Sequence, residues 1–297
     1  MESKKGYVDL HIHTNKSDGV FNPTEIINIA FENQTSFISI CDHDTIDGIN
    51  EFKLNLLKNM NGINGVEFST YININGKRRK LHILGYGFET NSFYILKLLE
   101  EMKQKRIYAH IDVLDYIKSK IKKVPDEEIS KLDMGRYCWF DREVIKCLED
   151  GKVDKETILT LKKHFKENRF SYGNDYELNV IDVINAIKMS GGYAILAHPM
   201  AYGFQKNEIT EIILKLIDTG IDGIEIFQSD CSIEDSMYLK SIVDKYNLLY
   251  SVGSDFHRII NSDGRMIGCG INNNLCIEET SLTNKILEKK KYFKGMK

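Results

Sequence analysis

The placement of the histidines constrains this chain more than any other feature. There are eight of them in 297 residues. His11 and His13 end the alternating run Tyr7–His13, and His43 follows the apolar run Phe37–Cys41. His82 opens the run Ile83-Leu84, His198 follows Tyr193–Ala197, and His257 follows Leu248–Gly253. Runs of this length and composition read as buried strands. In a parallel barrel the C-terminal strand ends converge on one rim, so histidines far apart in sequence meet there. His110 and His164 fall outside the pattern and read as structural surface residues.

Carboxylates follow the same rule. Asp18, Glu67 and Asp255 stand beside the same runs. On a strand, His11 and His13 point to one face, so both imidazoles can grip one ion. His11, His13, Asp18, His43, Glu67, His82, His198, Asp255 and His257 make nine candidate ligands, enough for two or three divalent ions. Imidazole and carboxylate without thiolate suit Mn, Fe, Zn or Co. Clustered ions of this kind suit phosphoryl chemistry. Asp42 and Asp44 flank His43 and cannot both join it on an ion. One of them is expected to hold a ligand's ring N–H; for each a helix cap is the alternative.

Between the runs lie helices. Asn22-Pro23-Thr24-Glu25 opens one, with Asn22 as N-cap and Pro23 at the first helical position. Gly48–Met60, Val180–Met189, Ile209–Asp218 and a Ser232-capped stretch to Tyr246 read as others. Gly62–Thr70 and Lys80–Gly87 are strand-like, and Asn75-Gly76 between them is a hairpin turn signal. Alternation of apolar strands with helices implies a parallel sheet covered by helices. About seven such units suggest a closed or nearly closed α/β barrel.

From Ser92 to about residue 179 the pattern changes to long charged helices, with Leu96, Leu99, Met102, Ile107, Ile111 and Leu114 at helical spacing. Residues 92–179 therefore read as a helical insertion into a barrel made of residues 1–91 and 180–297. The six cysteines form no C-x-x-C pair and read as reduced thiols. A net charge of -3 argues against bulk attraction to nucleic acid. No apolar run reaches membrane-span length, and no apolar leader follows Met1, which points to the cytoplasm. Lys77-Arg78-Arg79-Lys80 reads as a solvated hairpin edge, and Lys289-Lys290-Lys291 as a charged tail. Tyr71, Tyr86, Tyr137 and Trp139 can stack on a base, but packing is the simpler role.

The motifs resemble those of the PHP (polymerase and histidinol phosphatase) superfamily of metal-dependent phosphoesterases. They are His11-Ile12-His13-Thr14 with Ser17-Asp18-Gly19, Asp42-His43-Asp44-Thr45 and Gly65-Val66-Glu67-Phe68-Ser69. His82-Ile83-Leu84-Gly85, Ala197-His198-Pro199 and Gly253-Ser254-Asp255-Phe256-His257 complete the set, in family order. They are most similar to the branch of nucleoside 3′,5′-bisphosphate phosphatases and a 5′→3′ exoribonuclease. The resemblance implies a distorted (β/α)7, TIM-like barrel with an inserted helical subdomain. It implies one metal on His11, His13, Glu67 and Asp255, a second on Glu67, His82 and His198, and a third on Asp18, His43 and His257. It also implies phosphate-binding arginines in the insertion, at Arg106 and Arg136. Gly135-Arg136 resembles the branch's Gly-Arg-x-His element, but Cys138 stands where that element has its histidine. Arg258 follows His257 where a small residue is usual.

The expected function is hydrolysis of a phosphate monoester on a small nucleotide by a metal-bridging hydroxide. Glu67 and Asp255 would hold the ions, and His198 or His257 would protonate the leaving group. Alternatives are a 5′→3′ exonuclease on short RNA or DNA, a histidinol-phosphate-type phosphatase, and a metal-binding module without catalysis. The expected partner is a small phosphorylated substrate or short oligonucleotide; no membrane is expected, and no stable protein partner can be inferred.

Overall fold

Asn22 begins the first helix as its sequence predicts: its side chain accepts from the Glu25 N–H, and the Glu25 carboxylate accepts from the Asn22 N–H. Such local signals hold along most of the chain. A computed structural model describes residues 6–121, 126–138, 140–167, 177–259 and 264–297. Trp139 lies outside them. Two units emerge, one from residues up to Leu98 and from Asn179 onward, the other from Leu99–Leu178.

The first unit alternates β1 (Tyr7–Ile12), α1 (Pro23–Glu32), β2 (Thr35–Ile40), α2 (Ile49–Asn55) and β3 (Asn61–Gly62). The hairpin β4 (Gly65–Ile74) and β5 (Lys77–Tyr86) follows. It turns on Asn75 and Gly76, both with positive φ, as a tight hairpin requires. Helix α3 (Phe93–Lys120) leads into the second unit, which holds α4 (Asp126–Ile129), α5 (Phe140–Asp150) and α6 (Lys155–Glu167). The chain returns through β6 (Leu178–Asn179), α7 (Val180–Met189), β7 (Tyr193–Leu196) and a 3-10 turn, Pro199–Tyr202. Then come α8 (Lys206–Asp218), β8 (Gly223–Gln228), α9 (Ile233–Tyr246), β9 (Leu249–Gly253), α10 (Ser281–Glu288) and β10 (Phe293–Lys294).

The first unit is a mixed α/β fold, and its ladders form two sheets, not one continuous cylinder. One has the order β1-β2-β3-β10 and the other β6-β4-β5-β7-β8-β9. Parallel pairing joins β1 to β2, β7 to β8 and β8 to β9. The hairpin interrupts that pattern, because β5 runs antiparallel to both β4 and β7. The sheets meet at two short seams. At one, the Asp44 N–H donates to the Glu67 carbonyl at 2.9 Å and the Glu67 N–H to the Asp42 carbonyl at 3.2 Å. At the other, the Asp255 N–H donates to the His11 carbonyl and the His13 N–H to the Phe256 carbonyl, both at 2.9 Å. One apolar cluster draws on both sheets through Leu10, Cys41, Leu84, Ile195, Ala197 and Val252. Each fully buried leucine, isoleucine or valine among them contributes about 1.5–3 kcal/mol.

Two local expectations fail. Lys289-Lys290-Lys291 is not a tail: it links α10 to β10, and the Lys291 ammonium donates to the Gly191 carbonyl. Strand β10 then pairs antiparallel with β3. Helix α2 is shorter than its apolar pattern suggested and stops at Asn55. The basic run on β5 is tied down: Arg78 lies 3.6 Å from the centre of the Tyr71 ring, and Arg79 pairs with Glu208 at 2.5 Å. Tyr86 is core, its hydroxyl donating to the Leu10 carbonyl. The cysteines are free thiols. Among the described residues no helix is long and apolar enough to cross a membrane.

In the second unit the buried stripe of α3 differs in phase from the apolar residues picked by spacing. Leu96 and Ile111 are exposed, whereas Met102, Arg106, His110, Val113 and Ile117 are buried. Two polar residues thus occupy the inner face. Each has a carbonyl partner: Arg106 donates to Gly135 at 2.9 Å, and His110 Nδ1 lies 2.8 Å from the Met134 oxygen. His110 stacks on Phe140 with ring centres 4.1 Å apart, and His164 stacks on Tyr116 at 3.8 Å. Both are structural, but His110 is buried, not on the surface as expected. Val144, Leu148, Leu161 and Phe165 fill the rest of this small core.

Candidate metal centre

The strand ends of the first unit bring the histidines together. His11 and His13 leave the end of β1, His43 follows β2, Glu67 lies in β4 and His82 in β5. His198 follows β7, and Asp255 and His257 follow β9. Three groups of ligand atoms form: His11, His13, Glu67 and Asp255; His43, Glu67 and His82; and His13, Asp18, His43 and His257. Within each group the atoms lie within 4.8 Å of one another. His198 Nε2 joins the second group at 2.9 Å from Glu67 Oε1. Compared with the partition that the family resemblance implies, His13 and His43 each stand in one more group.

The spacing suits ions. Two atoms about 2.1 Å from one metal, at octahedral or tetrahedral angles, lie about 3.0–3.4 Å apart. His11 Nε2, His13 Nε2 and Glu67 Oε2 are mutually 3.1 Å apart. Asp255 Oδ1 completes this set at 3.2 Å from His13 Nε2 and 3.6 Å from His11 Nε2. Glu67 Oε1 turns the other way, to His82 Nδ1 at 2.8 Å and His198 Nε2 at 2.9 Å. Asp18 Oδ1 lies 3.2 Å from His257 Nε2. Glu67 thus presents one oxygen to each of two groups.

Burial and mutual charge shift these groups strongly. Burial opposes charging His11, yet Glu67, Glu225 and Asp255 hold its pKa well above the usual imidazole value. For His13 burial is again outweighed, by Asp255 and Glu67, and the pKa rises to about 10. At His43 burial wins and the pKa falls to about 3. Burial would raise Glu67 and Asp255, but the surrounding imidazoles hold both well below the carboxylate range.

Asp42 and Asp44 hold backbone N–H groups and hydroxyls beside the ligand groups. Asp42 accepts from the Thr14 N–H and from the hydroxyls of Thr14 and Ser17, all at 2.7 Å, which anchors the loop carrying Asp18. Asp44 accepts from the Ser69 N–H at 2.8 Å and its hydroxyl at 2.9 Å, which ties the end of β2 to β4. Asp44, His198 and Asp255 all have positive φ, at 52°, 24° and 54°. Residues with side chains rarely adopt this region, and sites that do are often functional.

Sequence reasoning missed four residues. Asp9, fully buried, accepts from the backbone of His11, Ser254 and Gly268, and burial raises its pKa to about 6. Glu225 on β8 is buried against His11 and His198. Tyr202 accepts the His82 N–H at 2.8 Å and donates to the Ala197 carbonyl at 2.9 Å. Arg265 donates to the Ser254 carbonyl and to Asp230, each at 2.8 Å. The available signal was a carboxylate within an apolar strand, at Asp9 in Tyr-Val-Asp-Leu and at Glu225 in Gly-Ile-Glu-Ile. Of the expected substrate arginines in the second unit, Arg106 holds Gly135 and Arg136 pairs with Glu143.

No family model matches the chain. Over 258 residues it is 28% identical to a 5′-3′ exoribonuclease of Haemophilus influenzae, covering 84% of this chain and 89% of that protein. It is 26% identical over 258 residues to a 3′,5′-nucleoside bisphosphate phosphatase of Chromobacterium violaceum, covering 84% and 87%. Among solved structures, an amidohydrolase from Chromobacterium violaceum with bound sulfate shares the fold with a TM-score of 0.73 at 20% identity, over 98% of each chain. With its ligand motifs in order, the chain is similar along most of its length to exoribonucleases and to a nucleoside bisphosphate phosphatase, as the PHP-like motifs imply.

Proposed function

We propose that this chain hydrolyses a phosphate monoester on a small nucleotide, with a nucleoside 3′,5′-bisphosphate as the candidate substrate. The observation that carries this reading is the convergence of three ligand groups on one rim, two of them sharing Glu67. Their polyhedron-edge spacing supports two or three divalent ions, of the Mn, Fe or Zn class, held by His11, His13, Asp18, His43, Glu67, His82, His198, Asp255 and His257. Bound there, the ions would acidify a water and neutralise charge on the phosphoryl oxygens.

The remaining work falls to side chains. Glu67 and Asp255, held as carboxylates by the imidazoles around them, balance the ions' charge. His198 and His257 are the candidates to protonate the leaving oxygen. His198 Nε2 faces Glu67, whereas His257 is part-exposed and reaches Asp18. Arg106 and Arg136 are the candidates to bind a substrate phosphate. Arg136 would exchange its Glu143 partner for the anion, and Arg106 with His110 would keep its loop in place.

Residues 1–91 and 180–297 read as one distorted (β/α)7 barrel. The seams support this: they complete the ring β1-β2-β4-β5-β7-β8-β9, seven strands in all, and residues 92–179 form the inserted helical subdomain. A small nucleotide substrate supports a cytoplasmic location.

The exoribonuclease relative favours a second reading, removal of mononucleotides from the 5′ end of short RNA. Incubation with Mn²⁺ and either a nucleoside 3′,5′-bisphosphate or a 5′-phosphorylated oligonucleotide separates the two. The first reading expects inorganic phosphate from the bisphosphate and an intact oligonucleotide chain. Release of mononucleotides from the oligomer replaces it with the second.

A further inference from the structure

We infer that Glu225 is a positioning residue for the metal centre: it selects the His11 tautomer that leaves Nε2 free to ligate, and it holds the turn at His198. The inference rests on reading the Glu67 cluster as a metal centre. Glu225 lies in β8 and is 1% exposed. Its Oε1 is 3.1 Å from His11 Nδ1, and its Oε2 accepts the backbone N–H of His198 at 2.8 Å. One buried carboxylate therefore spans ligands of two groups.

The chemistry at His11 follows from what a carboxylate can do. Its oxygens only accept, so the facing Nδ1 must carry the proton. Nε2 then presents its lone pair to the point shared with His13 Nε2 and Glu67 Oε2, each 3.1 Å away. The opposite tautomer would aim an N–H at the ion. At His198 the backbone takes φ 24° and ψ 57°, which swings the ring from the end of β7 to Glu67. The second oxygen of Glu225 fastens that turn at its own N–H.

The neighbouring strand is shaped for this contact. A Cβ at Gly253 would lie 2.2 Å from His11 Cβ and 2.4 Å from Glu225 Oε1. The glycine of the Gly-Ser-Asp-Phe-His segment thus gives the carboxylate and imidazole room to meet. Glutamine at position 225 would keep the shape but has one acceptor for two donors. Either His11 or His198 would lose its partner, and an amide N–H facing Nδ1 would select the wrong tautomer.

Zinc is the probe. In the zinc-loaded wild-type protein, nitrogen-15 NMR of the His11 ring should show a protonated Nδ1 and a metal-bound Nε2. In Glu225→Gln, chelator competition should show Zn²⁺ held about 10- to 100-fold more weakly, and the His11 ring should lose its single tautomer. A purely structural role would lower the melting temperature and leave the tautomer unchanged. A metal-bound Nδ1 at His11, or a folded Glu225→Gln with wild-type zinc affinity and tautomer, overturns the proposal. If that variant does not fold, the wild-type tautomer decides. Failure of the wild type to bind zinc at all would overturn the metal-centre reading as well; zinc bound through the other nitrogen would overturn the role of Glu225 alone.

Discussion

Histidine behaves in opposite ways in the two units. In the first, six imidazoles crowd onto carboxylates at the strand ends, and those carboxylates drive the pKa of His13 up to about 10 against its burial. In the second, His110 and His164 stack face to face on Phe140 and Tyr116, and burial pushes His110 down to about 4. The residue type is the same; the neighbours decide whether its polar atoms gather charge or complete a small apolar core. Carboxylates divide similarly. Those of the first unit's rim are buried or partly buried and bonded to backbone or imidazole, while Glu149 of the second unit forms an exposed pair with Lys162 at 2.6 Å.

The largest expected effect lies at Glu67. Glu67→Gln should lower kcat/KM for Mn²⁺-dependent phosphate release by about 10³-fold or more, because one neutral amide replaces the charge shared by two ligand groups. His164→Ala, assayed alongside it, should retain near wild-type kcat/KM. Equal losses in both would erase the distinction between the units.

Proton linkage sharpens it next. Nearby carboxylates keep His11 and His13 protonated at neutral pH in the metal-free protein. Loading an ion on them must therefore release about two protons, and affinity should rise about 100-fold per pH unit around pH 7. His43, already neutral with its pKa near 3, adds none to the slope. Indicator titration in weak buffer counts the protons; a slope near zero would mean that the carboxylates do not govern the cluster.

Smaller effects belong to the second unit. His110→Ala removes a buried ring and its bond to Met134, and should cost about 2 kcal/mol in denaturant unfolding with no loss of metal affinity. Lys162→Ala breaks an exposed pair and should cost less than about 0.5 kcal/mol in the same measurement. A loss of 2 kcal/mol there would show that the surface pairs hold the unit together.

The division also explains what could be read in advance. The meeting of His11, His13, His43, His198, Asp255 and His257 was legible because strand ends converge; Glu67 and His82 instead sit inside the hairpin strands β4 and β5. Helix starts at Asn22 and Ser232 were legible because a cap is a local bond. The phase of α3 was not, since Arg106 and His110 sit on its inner face by finding the carbonyls of Gly135 and Met134 across a loop. The supporting partners of Asp42 and Asp44 depend on which loop passes by, and no spacing reveals that. Strand β10 escaped notice because it is two residues long and is defined only by its partner β3.

The two seams have a consequence for the order in which the protein is made. One joins Asp255 and Phe256 to His11 and His13, so a ligand that precedes the second unit meets one that follows it. During synthesis the N-terminal histidines emerge early and must wait through the whole second unit, then β7 and β8, before Asp255 and His257 arrive. Contacts so distant in sequence form late and slowly. A growing chain can therefore display five of the six rim imidazoles while two of the three ligand groups still lack Asp255 or His257.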